Sequence, residues 1–315
     1  MAAFLAKRLT MLVASLLLAS FAVYGAVYIA PGSPIATITG GRALPPATLR
    51  VLEHHYHLDE PFIPRYLNWL SDALHGDFGT SLVNHQSVAN LIASRIGTTL
   101  ELVAYTGLLI VVFGLAAGIV SALRPGLIDG VLVTITSVLT ATPSFVAAIV
   151  LISVFAVRLQ WLPAIGDGQG FGGTIAHLTM PAVALAASSV ALVSRVARAS
   201  VREELTREHV QTAVSRGLPR RVVLRRHVLR NAAIPITTIT GLTIASLFAL
   251  AAIVEEAFNL NGIGSALVNA AASKDFPVVQ AISLVLVAAF VITNALVDLL
   301  YALLDPRVEL GASAA

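Results

Sequence analysis

Carboxylates, histidines and arginines are the side chains here that could do chemistry, and their spacing limits what that chemistry is. His54, His55 and His57 lie beside Asp59 and Glu60. On a helix, His54 and His57 would share a face and could hold a metal ion; a polar helix end at a wet surface accounts for the same residues without one. Glu101, Glu255, Glu256 and Asp298 fall within or at the ends of long apolar stretches. Carboxylates in such surroundings often mark ion or proton paths. A path of that kind would set them near the middle of a membrane span, whereas three of these four sit near ends; capping or pairing with an arginine serves for Asp298. The glycine-rich stretch GDGQGFGG (Gly166–Gly173) has the look of a phosphate cradle, but it follows an apolar segment rather than a strand, so a flexible turn is expected. There is no HExxH and no GxSxG. A Walker A loop needs lysine after glycine, and Lys7 follows Ala6 while Lys274 follows Ser273. Without cysteine, disulfide and thiolate chemistry are excluded. The chain is therefore expected not to be an enzyme and to hold no metal or cofactor of its own.

The densest cluster is basic: RVARASVREELTREHVQTAVSRGLPRRVVLRRHVLRNAAIP, from Arg195 to Pro235. Ten arginines (195, 198, 202, 207, 216, 220, 221, 225, 226 and 230) stand against three glutamates (203, 204 and 208). Ser200 with Glu203 makes an S-x-x-E capping box, which predicts a helix start. Helical character continues to Gly217, a fitting helix end, and Pro219 fits the first turn of a second helix. That second helix is basic and amphipathic, with Arg221/Arg225 and Arg226/Arg230 spaced by four beside Val222, Val223, Leu224, Val228 and Leu229. Two short helices hinged at Gly217–Leu218–Pro219 are expected. Anionic lipid would attract the arginines, each by about 1 kcal/mol, so membrane lipid is an expected partner and nucleic acid is not. Lipid does not account for the compact, low-charge segment Gln211, Thr212, Ala213, Val214, Ser215, Arg216 and Gly217. That segment reads as the place where a partner protein pushes.

The elements that position this loop are apolar. The chain has 315 residues, 57% hydrophobic and only 12% charged, where a soluble domain carries about 25% charged residues. A membrane span takes about 20 apolar residues, and six segments qualify: Leu9–Ile29, Thr99–Leu123, Val131–Val157, Thr174–Ser194, Ile234–Val254 and Val278–Leu304. The first is longer than a signal-peptide core and reads as a retained span. His177 and Pro181 interrupt the fourth. Cytoplasmic loops carry the excess of basic residues. Placing both termini in the cytoplasm puts fourteen of the twenty Lys and Arg residues inside, among them Lys7, Arg8, Arg124 and Arg307, and leaves Arg42, Arg50, Arg65, Arg95, Arg158 and Lys274 outside.

Three units follow: the N-terminal span (1–30), an outer helical segment (31–96), and a five-helix core (97–315) carrying the cytoplasmic loop 195–233. The outer segment opens with PGSP, which stops the first span, and contains two amphipathic helix patterns, one with Leu49, Leu52 and Tyr56, the other with Tyr66, Trp69, Leu70 and Leu74. Gly114 and Gly118 form a GxxxG pair that lets another helix come close. Pro143, mid-span, predicts a kink. Asn261-Gly262 and Gly264 mark an outer turn in which Ser265 would cap the short helix ALVNAA. Asp305 and Pro306 stop the last span at the cytoplasmic face.

The loop resembles the cytoplasmic EAA loop of ABC importer permeases, with Gln211 in place of the Glu, Thr212 and Ala213 for the two alanines, and Gly217 for the Gly. HVQTAVSRGLPRRVVLRRHVLRNAAIP is similar to the version found in the dipeptide/oligopeptide/nickel branch. PGSP, HLDEPFIPRYLNWLSDALHGDFGTSL, ATPSF, RLQWLPAIG, HLTMPAVAL, EEAFNLNGIG and YALLDPRV extend the likeness to that branch's B-type permease over nearly the whole chain. The resemblance implies an all-α, polytopic, six-span protein of the type I importer permease fold in a bacterial inner membrane. It implies a permease for short peptides, nickel chelates, glutathione or another small solute, paired with a second homologous permease as a heterodimer, with ATP hydrolysed in separate subunits. Two cytoplasmic ATPase subunits would bind ATP and Mg, an external binding protein would deliver solute, and Gln211 to Gly217 would form the coupling helix, with Ala213 and Gly217 at the ATPase contact. The alternative is a proton-coupled carrier acting without an ATPase.

Overall fold

Prolines and glycines decide where the helices of this chain stop and how closely they approach. The computed structural model describes residues 2–29, 35, 45–55 and 59–304, and side chains within these except those of residues 2–8, 46, 52, 53, 55 and 298–304. PGSP, Arg42, Tyr56, His57 and the Asp305–Pro306 stop lie outside the described residues, as does the side chain of Asp298. The helices are α1 (Ala2–Ile29), α2 (Pro46–His55), α3 (Phe62–Leu74), α4 (Val88–Leu123), α5 (Leu127–Ala141), α6 (Ser144–Arg158), α7 (Gly170–Thr206), α8 (Glu208–Ser215), α9 (Arg220–Ala257), α10 (Ile263–Ser273) and α11 (Phe276–Leu304). Among the described residues the only β pairing is an isolated bridge, Thr80 to Ser87. Among the described residues five helices are long and apolar enough to cross a membrane, and the bent pair α5–α6 makes a sixth when counted as one span.

Four boundaries differ from expectation. The third span is broken, not kinked: α5 and α6 meet at 102°. Proline disfavours helical backbone in the residue before it as well as removing a donor, and Thr142 (φ −92°, ψ 112°) and Pro143 (φ −60°, ψ 145°) are both extended. The fourth span runs without interruption through His177 and Pro181, 37 residues in all. Neighbouring helices make an internal proline tolerable in such a span, and Pro181 is buried among them. At 1.5 Å per residue α7 is roughly 55 Å long, so it outruns a hydrocarbon layer of about 30 Å. The capping box at Ser200 does not start a helix, because α7 continues to Thr206 with Ala197 and Val201 fully buried. Likewise the basic second helix is the first part of α9, which passes through Pro235 unbroken.

Lipid tails are as apolar as the helices, so helix association in a membrane depends on close packing, which favours small residues. α7 is the centre, packed against α4, α5, α6 and α9. A Cβ on Gly118 would lie 2.6 Å from Ala197 Cβ and from the Ser194 carbonyl, and one on Gly114 would lie 3.1 Å from Val193 Cγ1. The GxxxG pair thus seats α4 on α7. α11 packs on α9 and α1 on α11. α1 also meets the short helix α3 through Phe21, Tyr24 and Tyr28 against Phe62 and Tyr66, with Ser20 Oγ 2.8 Å from Tyr66 Oη. Hydroxyls within α5 satisfy themselves on their own helix: Thr134, Thr136, Ser137 and Thr140 each donate to a carbonyl four residues back.

Candidate functional site

The Gln211–Gly217 segment forms most of α8 and its C-terminal turn. Arg207 is extended (φ −68°, ψ 145°) and separates α8 from α7. The Arg207 carbonyl accepts from the Gln211 N–H at 3.1 Å, and Gln211 Nε2 donates to the Thr206 carbonyl at 3.2 Å. At the other end Gly217 takes φ +76°. Its N–H donates to the Val214 carbonyl at 2.9 Å, and the Leu218 N–H donates to the Ala213 carbonyl at 3.3 Å. This pair of bonds is a Schellman turn, which places the left-handed residue where glycine has no steric penalty. Nothing lies within 4 Å of a Cβ built on Gly217. Glycine is therefore required there by the backbone angle, not by crowding within this chain.

One face of α8 is fixed to the spans. Val210 and Ala213 are buried in an apolar cluster with Ala122 of α4, Ala197 and Val201 of α7, and Val223, Val228 and Ala232 of α9. Asn231 Nδ2 lies 3.1 Å from His209 Nε2 and donates to Glu204 Oε2 at 3.4 Å, joining α8 to both long helices. The opposite face is open: Gln211, Thr212, Val214, Ser215, Arg216, Gly217 and Leu218 are exposed. This corrects one expectation. Ala213 is 4% exposed and faces the spans, because helical spacing sets it with Val210 on the packed side. The apolar groups turned outward are Val214, 59% exposed, and Leu218, 39% exposed. The segment presents a short, rigidly held helix whose displacement would be passed to α7 and α9.

Two polar clusters were not anticipated. Asp129, in the first turn of α5, accepts from Arg198 Nε at 2.7 Å and Arg202 Nη2 at 2.7 Å; the four-residue spacing of these arginines was the available signal. At the far end of the bundle Glu255 is fully buried, where its Oε1 accepts from Thr99 Oγ1 at 2.7 Å and its Oε2 from the Ser265 N–H at 3.0 Å. Asp275, also buried, accepts from Ser81 Oγ and from the Leu82 N–H at 3.0 Å. Ser265 is not the cap of α10. Gly262 holds that place, and Ser265, inside the first turn, donates to the Leu260 and Gly262 carbonyls. Glu101 and Glu256 are exposed. The glycine-rich turn is tied down, since Asp167 Oδ1 accepts from the Asn261 N–H at 2.9 Å. His54 Nδ1 lies 3.1 Å from Asp59 Oδ2 at an exposed position, and no group of three or more metal-ligating side chains gathers among the described residues.

Residues 110–310 match the family described as the inner membrane component of binding-protein-dependent transport systems, and residues 1–103 match the N-terminal membrane component of such systems. The chain is 32% identical over 313 residues to a probable peptide ABC transporter permease, y4tP, of Sinorhizobium fredii, covering 98% of this chain and 100% of that one. It is 35% identical over 307 residues to the glutathione transport system permease GsiC of Escherichia coli (strain K12), covering 96% and 97%. Among solved structures, the inward-facing MetNI methionine ABC transporter aligns with TM-score 0.55 at 16% identity, over 68% of this chain and 96% of that one. A likeness at that identity speaks for the fold alone. With a fold of packed membrane helices, and with family matches that together cover residues 1–103 and 110–310, the chain belongs to the inner-membrane permease components of binding-protein-dependent ABC importers.

Proposed function

We propose that this permease imports short peptides or a related small solute such as glutathione, with energy supplied by ATP hydrolysed in separate subunits. The observation that carries the solute class is near-full-length similarity to permeases named for peptides and for glutathione. The proton-coupled alternative draws no support from these matches. Membership of this family implies ATPase and substrate-binding partners. The finer assembly, inferred from the resemblance, is one second homologous permease, two cytoplasmic ATPases that hold ATP and Mg, and an external binding protein meeting the outer segment 31–96 and the loop 257–277. Both termini are cytoplasmic in this reading, with an N-terminal span (1–30) and a core (97–315).

Gln211, Thr212, Val214, Ser215, Arg216 and Gly217 present the open face of α8 to an ATPase groove, and Val214 and Leu218 supply its apolar contact. ATP closure would then favour one orientation of the spans because it binds that state better. The test is Gly217→Glu in the whole transporter, read by ATPase pull-down and by uptake of a labelled tripeptide and of glutathione. The expected result is loss of both ATPase capture and uptake with the permease still in the membrane. Normal values for both would sink the docking assignment.

A further inference from the structure

α5 is an outlying half-span. It packs principally on α7 and on the end of α4, while Val131, Val133, Ile135 and Val138 remain exposed. It joins α6 only through the extended residues Thr142 and Pro143, at the 102° elbow. Its polar attachments among the described residues come mainly from one ladder on α7, with one hydroxyl from α4. Arg195 Nη2 donates to Thr140 Oγ1 at 3.1 Å. Arg198 donates through Nε and Nη2 to the two oxygens of Asp129 at 2.7 and 2.9 Å. Arg202 Nη2 donates to Asp129 Oδ2 at 2.7 Å and to the Ser121 carbonyl at 3.4 Å. Ser121 Oγ completes the carboxylate's set of donors.

The geometry matters more than the charge. An exposed ion pair between single flexible side chains contributes little. A two-pronged guanidinium–carboxylate pair fixes direction as well as distance. The Asp129 side chain is only 14% exposed, and neither Arg198 nor Arg202 has another carboxylate partner among the described residues. Asp129 also lies in the first turn of its helix, where a negative charge is favoured by the helix dipole. Arg202 sits in the last turns of α7, which ends at Thr206, and α8 begins at Glu208. The part of α7 that grips α5 is therefore the part nearest α8.

We propose that Asp129 is a positioning residue for energy coupling: through Arg198 and Arg202 it makes α5 follow α7 when α8 is displaced, so that the α5–α6 elbow changes angle during the transport cycle. This rests on the reading of α8 as the ATPase-docking helix. Apolar packing on α7 alone would leave α5 free to lag, because its outer face has no partner among the described residues. The ladder removes that freedom while Thr142–Pro143 keeps α6 mechanically separate.

The test uses the complete transporter reconstituted in lipid, with spin labels on Ser137→Cys in α5 and Ser153→Cys in α6, both exposed, in a chain that has no cysteine of its own. The interlabel distance is measured without nucleotide and with ATP trapped by vanadate. The expected result is a nucleotide-dependent change in the parent protein. Asp129→Ala should lose at least half of that change while ATP is still trapped, and Asp129→Glu should recover it. Asp129→Asn, which keeps the side-chain volume, is read in the same way should the alanine variant fail to assemble. No change in the parent protein, or an undiminished change in Asp129→Ala and Asp129→Asn, overturns the proposal. Gly217→Glu separates the two readings. If it abolishes the change while the Asp129 variants leave it intact, the ladder fails and docking stands. If it leaves ATPase capture and the distance change intact while Asp129→Ala loses the change, the docking assignment fails and the ladder stands.

Discussion

Glu255 shows how a single buried carboxylate can organise the end of the bundle remote from α8. Its exposure is 0%, and an unpaired ion there would be prohibitively costly. Thr99 of α4 and the Ser265 N–H of α10 supply the donors, and the Ile263 N–H donates in turn to Thr99 Oγ1 at 3.0 Å. The carboxyl group fills the space that a Cβ on Gly262 would need, which is why no larger residue can stand there. Glu255→Ala removes the acceptor from Thr99 and from the first turn of α10 together. Leaving a buried polar group unsatisfied costs about 1–3 kcal/mol, so this variant should lower the thermal midpoint of the purified protein markedly and Glu255→Gln should lower it less. Equal midpoints for Glu255→Ala and the parent would show that water or relaxation replaces the network. At the other end, Gly217 at φ +76° in open space makes a complementary prediction. Gly217→Ala should cost about 1–2 kcal/mol for a left-handed non-glycine residue, seen as a modest loss of midpoint, whereas Gly217→Glu adds an obstacle at the open face and should abolish ATPase capture.

At the scale of elements, the α5–α6 break is the feature whose origin is most local. Proline at 143 accounts for both extended residues, so Pro143→Ala removes the bias that keeps Thr142 out of the helical region. With the break's cause gone, the interlabel distance between α5 and α6 should lengthen as the elbow straightens, and an unchanged distance would place the cause in the packing of α7 instead. Local signals such as this were legible in the sequence: the proline, the Gly217 helix end, the GxxxG contact and the apolar runs all correspond to observed features. What was not legible depends on distant partners. The Ser200–Glu203 capping pattern is a genuine local preference, yet burial of Ala197 and Val201 against α4, α8 and α9 keeps the helix going. Ala213 looked available because its small size suits a docking surface, and only the packing of α8 on α7 and α9 shows it turned inward. Asp129 and Arg198 lie 69 residues apart, a pairing no periodicity reveals. The same holds for Asp275 and Ser81, 194 residues apart.

For the whole molecule, the two ends of the bundle are chemically different. One end gathers Ser121, Asp129, Arg198, Arg202, α8 and the arginines at the start of α9; the other gathers Ser81, Thr99, Asp167, Glu255, α10 and Asp275. The spanning helices carry the chain from one group to the other, so labelling one loop from each end fixes the orientation of the bundle. The excess of basic residues at the α8 end points to the cytoplasm. The absence of cysteine makes the measurement clean. Val214→Cys, on the open face of α8, and Val268→Cys, partly exposed on α10, should report opposite sides. A membrane-impermeant maleimide should label Val268→Cys in spheroplasts and Val214→Cys only in inverted vesicles; the reverse pattern would overturn the orientation. Adding the ATPase subunits to the inverted vesicles carries the argument one step further. If α8 is the docking helix, labelling at Val214→Cys should slow when they bind, while labelling of Leu74→Cys on α3, an exposed position outside that contact, should be unchanged in spheroplasts of the same strain. Protection absent at 214 while the ATPases remain bound would move the contact to another part of the basic loop, and the exposed arginines from Arg220 to Arg230 would be the next surface to probe.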